Sequence, residues 1–233
     1  MKAMILAAGL GSRMRPLTLY TPKPLLEVGG KPLIVWHIEK LKSIGVKEII
    51  INSAWLADKL IGALGDGSKY GVTIRWTRED EGLETAGGII NALPLLGDQP
   101  FILVNGDVWT TMDFAPLLEI DLKAGSNTDL AHLVFVPNPE QHPKGDFTLA
   151  TGRAYTFDQK QQGENLTYSG VAVIHPKMFE NLDAGKRPLA PLLKQAMLDG
   201  QVSAEKMQGM WVDVGTPERL TQLDLQIRQG LFD

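Results

Sequence analysis

An apolar strand that runs without pause into a glycine-bearing loop constrains this chain more than any other feature. The segment reads Met4-Ile5-Leu6-Ala7-Ala8-Gly9-Leu10-Gly11-Ser12-Arg13-Met14-Arg15-Pro16, and Thr21-Pro22-Lys23-Pro24-Leu25 follows it. Glycine has no Cβ, so the backbone N–H groups around Gly9 and Gly11 can approach an anion closely. Arg13 and Arg15 bring forked donors that match phosphate oxygens. Lys23 brings a compact charge, and its flanking prolines restrict the backbone that aims it. The composition is that of a site that grips a nucleoside triphosphate by its phosphates. A strand followed by Gly-x-Gly also marks many ordinary tight turns. This loop lacks the third glycine of the dinucleotide fingerprint, and no Gly-Lys-Ser/Thr closes it as a P-loop.

Composition narrows the classes. At 233 residues the chain can bury a substantial core as one large α/β domain or two small ones. Its net charge of −4 argues against general nucleic-acid affinity, which depends on clustered cations. No apolar run is long enough to span a bilayer, and the first one enters the glycine loop without a cleavage site. With no cysteine there is no disulfide, no thiol nucleophile and no Cys-type zinc site. A soluble cytoplasmic protein is the expectation.

Strands and helices alternate along the first half. Residues 2–7 read as a buried strand, and Pro32 opens a helix with Ile34, Ile38 and Leu41 on one face, ended by Gly45. An isoleucine-rich run at 46–52, a helix near 56–63 and a strand near 72–77 follow, then a helix over 85–96, a strand over 100–105, a helix over 113–124 and a strand over 129–136. This βα rhythm predicts a Rossmann-like, doubly wound and mainly parallel sheet covered by helices on both faces. Beyond residue 137 three prolines break the rhythm. A hairpin over 145–157 turning at Thr151-Gly152, a strand over 166–174 and a helix over 188–198 come next. Thr216 then caps a last helix with Pro217 at its first position. The expectation is a single domain over 1–233, with a nucleotide-binding half over 1–136 and an acceptor-side half over 137–233.

Two acids fall at strand ends: Asp107 in Val104-Asn105-Gly106-Asp107, and Asp213 in Trp211-Val212-Asp213-Val214-Gly215-Thr216. Each alone could be a turn or cap residue. Together they offer oxygen ligands with open positions, which suits Mg²⁺ bound to phosphate. The histidines argue against a proton-relay site. His37, His132, His142 and His175 form no i, i+4 pair, and two of them precede prolines.

The strings LAAGLGSRMRP and TPKPL, with the Gly-Asp and Trp-x-Asp-x-Gly-Thr elements, resemble the signatures of the sugar-phosphate nucleotidyltransferases. The resemblance implies a nucleotide-diphospho-sugar transferase fold and a Mg²⁺-dependent reaction of a nucleoside triphosphate with a sugar 1-phosphate. It implies that Arg13 contacts the β- and γ-phosphates and that Lys23 contacts the α-phosphate and the acceptor. It further implies nucleotide contacts from Ala8, Gly9, Gly11, Ser12, Gly82, Glu84, Thr85 and Gly87, and metal binding by Asp107 and Asp213. Asn105, Gly145, Asp146 and Ser169 occupy positions where members of the family contact the sugar. Ala86 stands where such members often have glycine, and the acid-Lys-Pro element many carry is replaced by Phe157-Asp158-Gln159-Lys160. Further strings, among them Gly65-Asp66-Gly67-Ser68 and Leu189-Ala190-Pro191-Leu192-Leu193, resemble the uridylyltransferase branch, which implies UTP and a cell-wall sugar 1-phosphate as partners. Thymidylyl or guanylyl transfer to glucose, mannose or heptose 1-phosphate is the neighbouring alternative. A non-catalytic nucleotide sensor on the same fold is another, although the arginine, the lysine and both aspartates stand. A nicotinamide oxidoreductase lacks its fingerprint here. A monomer without nucleic-acid or membrane partners is expected.

Overall fold

The computed structural model describes residues 1–122 and 129–232. In chain order the elements begin with β1 (Lys2–Leu6), β2 (Glu27–Val28), β3 (Lys31–Pro32), α1 (Leu33–Ser43), β4 (Glu48–Ser53), α2 (Ala57–Leu64), β5 (Thr73–Arg78), α3 (Glu84–Leu96), β6 (Phe101–Asn105) and β7 (Val108–Thr110). They continue with β8 (Ala131–Val136), β9 (Phe147–Ala150), β10 (Arg153–Tyr155), β11 (Glu164–Ile174), α4 (Ala190–Leu198), β12 (Val202–Lys206), β13 (Trp211–Asp213) and α5 (Pro217–Arg228).

Nine of the strands form one sheet in the order β5-β4-β1-β6-β11-β8-β12-β10-β9. Its first four strands are all parallel, as the βα rhythm predicts. Past β6 the character changes: β11 runs antiparallel to β6, β8 and β9, and only β12 beside β8 restores a parallel pair. The added acceptor-side strands thus make the sheet mixed. Period-2 alternation divides the core. Ala3 and Ile5 of β1 join α1 and α2 on one face, while Met4 joins α3 on the other, with α4 further along that same face. A third cluster gathers Met14, Val28, Leu33, Trp109, Val214 and Leu223, and so packs α5 against the start of α1 and the segment after the glycine loop.

Register positions the site. Leu6 pairs with Asn52 of β4 and with Asn105 of β6, so three strands end level with the mouth of the glycine loop. Gly106 donates its N–H to the Leu6 carbonyl at 2.9 Å, and a Cβ there would stand 2.6 Å from that oxygen. Only glycine lets the two strand ends close so tightly.

The hairpin turns where expected: Thr151 and Gly152 are both left-handed (φ 49° and 74°) between paired Ala150 and Arg153, a primed two-residue turn. The expected helix over 113–124 differs. Over its described part the chain makes one short 3-10 turn, Ala115–Glu119, and residues 123 and 124 lie outside the described residues. Phe114, Leu117 and Leu122 are all buried, and their i, i+3, i+8 spacing is that of one helical face, so the apolar pattern alone does not tell this turn from a helix.

Candidate active site

A cleft of about 340 Å³ opens beyond the carboxyl ends of β1, β4, β5 and β6, where open α/β sheets receive ligands. Ala8 and Gly9 form one lip, Gly82, Glu84 and Thr85 another, and Lys23, Asn105, Gly106 and Asp107 close the remaining side. A second cavity, of about 420 Å³, adjoins it through Glu84, Thr85 and Asn105 and continues past Asp146, Phe147, Tyr168 and Leu189 to Leu193.

Lys23 is nearly buried, with its Nζ 2.7 Å from Asp107 Oδ2. Each charge orients the other at the cleft wall, and the half-exposed carboxylate still faces solvent. Gly11 is left-handed (φ 60°) at the start of the short turn Ser12–Met14, and its carbonyl accepts from the Thr18 hydroxyl at 2.7 Å. Arg13 and Arg15 are exposed beside this turn, unpaired among the described residues. Gly11, Ser12 and Arg13 therefore border the cleft along the chain without lining it.

Residues that sequence reasoning missed brace this arrangement. Buried Asn52 accepts from the Ala7 N–H at 2.8 Å and donates to Glu79 Oε1 at 2.7 Å. Glu79 Oε2 in turn accepts from the Leu83 N–H at 2.9 Å. Two side chains thereby join the glycine loop to the loop that leads into α3, and both line the cleft. Polar residues at the ends of otherwise apolar strands were the signal available in the sequence. Lys186 also lines the cleft, from the far segment before α4.

Several expected contacts lie elsewhere. Gly87 faces the 185–187 backbone rather than the cleft: its N–H donates to Arg187 O at 3.1 Å, Arg187 N–H donates to Leu83 O at 2.9 Å, and a Cβ would collide with the Gly185 carbonyl. Ser169 is fully buried at an irregular step of β11, where its Oγ accepts from the Val171 N–H. Gly145 is left-handed (φ 70°) and makes room for Asn138 and Leu166, so its part is to shape the turn. Asp146 does line the second cavity, with its carboxylate held by the Tyr168 N–H at 2.9 Å and by His142 Nε2 at 3.0 Å.

Asp213 lies next to Asp107 through backbone pairing, because it opposes Val108 across the β7–β13 ladder and Val214 N–H donates to the Asp107 carbonyl. Its carboxylate sits 2.7 Å from Arg219 Nη1 and borders a neighbouring cavity with Trp211. No group of three or more candidate metal-ligating acids or histidines occurs among the described residues. Two aspartates are nevertheless a donor set of the right hardness for a small divalent cation that takes its other ligands from phosphate and water.

The histidines are engaged structurally. His37 is buried on α1 and donates from Nε2 to the Val108 carbonyl at 2.7 Å, and burial pushes its pKa down to about 4. His175 accepts from the Lys177 N–H, and burial lowers its pKa as well. No helix among the described residues is long and apolar enough to cross a membrane.

Over residues 2–230 the chain matches the nucleotidyl transferase family. It is 51% identical over 224 residues to an N-acetylmuramate alpha-1-phosphate uridylyltransferase of Neisseria meningitidis serogroup B, covering 95% of this chain and 96% of that one. It is 33% identical over 223 residues to an enzyme of the same description from Caulobacter vibrioides, covering 93% and 92%. In three dimensions it superposes on a Bacillus anthracis protein crystallised with sucrose at a TM-score of 0.83 and 22% identity, over 98% of this chain and 95% of the other. That likeness speaks for the fold alone.

Proposed function

The chain belongs to the nucleotidyl transferase family, and from that premise we propose that it moves a uridylyl group from UTP to N-acetylmuramate α-1-phosphate. The products are UDP-N-acetylmuramate and pyrophosphate, in the recycling of peptidoglycan sugar. What carries the choice of substrates is the likeness to the Neisseria enzyme, which extends over nearly the full length of both chains. The two adjoining cavities support the same reading, since a two-substrate transfer needs a nucleotide site continuous with an acceptor site.

The acceptor is already an anion at neutral pH, so its phosphate oxygen attacks the α-phosphorus directly. The bond from the α-phosphorus to the bridging oxygen breaks, and pyrophosphate carries that electron pair away. No general base is required, in keeping with histidines that are all held by other groups. What the protein supplies is in-line placement and charge neutralisation. In this reading the backbone at Ala8, Gly9 and Gly11 cradles the phosphates, Arg13 meets the leaving β- and γ-phosphates, and Lys23 reaches the α-phosphate and the incoming oxygen. Gly82 and Thr85 flank the base, while Asn105 and Asp146 border the sugar. Asp107 and Asp213 would hold Mg²⁺, which when bound neutralises charge on the α-phosphate. In this reading the protein works in the cytoplasm as a monomer, with no nucleic-acid or membrane partner.

Pyrophosphate release with UTP and Mg²⁺ tests this, offering N-acetylmuramate 1-phosphate, N-acetylglucosamine 1-phosphate and glucose 1-phosphate in parallel. Release with the first well above the others is expected. Preference for another sugar phosphate or another triphosphate would overturn the substrate assignment and keep the reaction class.

A further inference from the structure

The two cavities share three lining residues, Glu84, Thr85 and Asn105, and Glu84 alone of the three is charged. Its carboxylate is accessible and stands 3.8 Å from Lys186 Nζ, which reaches the cleft from the segment before α4. Its backbone is left-handed, with φ of 60°, although a side chain disfavours that region and glycine adopts it freely. An acid in the first turn favours a helix, but ordinary backbone angles would supply that benefit too. The side chain is thus held at the seam between the cavities at a conformational cost.

We propose that Glu84 is a specificity residue for the acceptor sugar, its carboxylate accepting hydrogen bonds from pyranose hydroxyl or acetamido N–H groups at the seam. The family resemblance instead implies a nucleotide contact for Glu84. Lys186 is the positioning residue: from the main cleft its ammonium draws the carboxylate toward the seam. The assignment rests on the proposed function, since it takes the main cleft for the nucleotide and the adjoining cavity for the sugar phosphate. A carboxylate that accepts from a substrate hydroxyl or N–H discriminates against its loss by about tenfold or more.

The experiment compares wild type with Glu84→Gly and Glu84→Gln, varying sugar phosphate at saturating UTP and UTP at saturating sugar phosphate, with thermal unfolding alongside. Glycine relieves the left-handed backbone, so Glu84→Gly should unfold at the same temperature or higher. The KM for the sugar phosphate should rise about tenfold or more in both variants, with the KM for UTP within about twofold of wild type. An unchanged sugar-phosphate KM, or a loss carried by the UTP KM, would overturn the assignment. Should wild type prefer a different sugar phosphate, the comparison runs with that acceptor, because the hydroxyls of any pyranose would meet the same seam. Wild type silent with every acceptor would instead sink the functional reading, and this assignment with it.

Discussion

Lys23 and Asp107 show what a single ion pair can do at a strand end. Each is held by the other at 2.7 Å, and neither packs in the core clusters that stabilise the sheet. Lys23→Ala or Asp107→Ala should therefore cut turnover about a hundredfold or more while leaving the circular dichroism spectrum and cooperative unfolding intact. Near-normal turnover in either variant would remove that residue from the mechanism. Gly87 presents the opposite case. A methyl group there meets the Gly185 carbonyl, which is fixed by the backbone bonds between 83–87 and 185–187. Overpacking of this kind costs about 1–3 kcal/mol, so Gly87→Ala should lose that much in chemical denaturation. A variant as stable as its parent would mean that the 185–187 segment yields freely. Residue types were readable in the sequence at all these positions. Their partners were not, because Ser169 and Gly87 meet groups brought to them only by the irregular step of β11 and by the 185–187 segment at the start of α3.

At the scale of elements, most of the first half was legible because each strand and helix carries its own period. β1, α1, β4, α2, β5, α3 and β6 stand within a few residues of where their patterns place them. Of the two short strands, β13 was legible as the apolar run that ends at Asp213, whereas β7 was not: three residues are too few for a period to register, and it exists because it pairs with β13. The buried bridge of Asn52 and Glu79 was equally hidden, although it determines how the glycine loop meets the loop before α3. Replacing Asn52 by leucine keeps the volume but strands the Ala7 N–H and one oxygen of Glu79. Breaking a buried polar network in this way costs about 2–4 kcal/mol. Denaturant unfolding should register that loss, and amide exchange at Ala7 should accelerate with it. Unchanged protection at Ala7 would show that the N–H finds another acceptor and that the bridge is dispensable.

On the scale of the whole molecule, the sheet joins a parallel half, which ends at the main cleft, to a largely antiparallel half that borders the second cavity. The rhythm of the sequence announced the first; of the second, the hairpin at Thr151-Gly152 and the strand ending at Ile174 were legible, but not how they join the sheet, since antiparallel pairing over long separations leaves no local period. His37 braces the assembly where α1 meets the β7–β13 ladder, through its 2.7 Å bond to the Val108 carbonyl. A carbonyl only accepts, so Nε2 carries the proton and the buried Nδ1 is bare, without a partner among the described residues. Protonating Nδ1 would bury a charge, which is why burial takes the pKa from 6.5 down to about 4. Between those values the unfolded chain binds more protons than the folded one, so stability rises with pH across the window. The contribution is fully present above about 6.5 and is lost as pH falls toward about 4. Linkage puts the loss at about 2 kcal/mol between pH 7 and pH 5. His37→Gln keeps a donor for Val108 and cannot titrate, so its stability should vary less over that interval by about that amount, whatever its value at neutral pH. Identical pH slopes in the two proteins would show that His37 takes up its proton as readily when folded, and that acid acts on the fold through other groups.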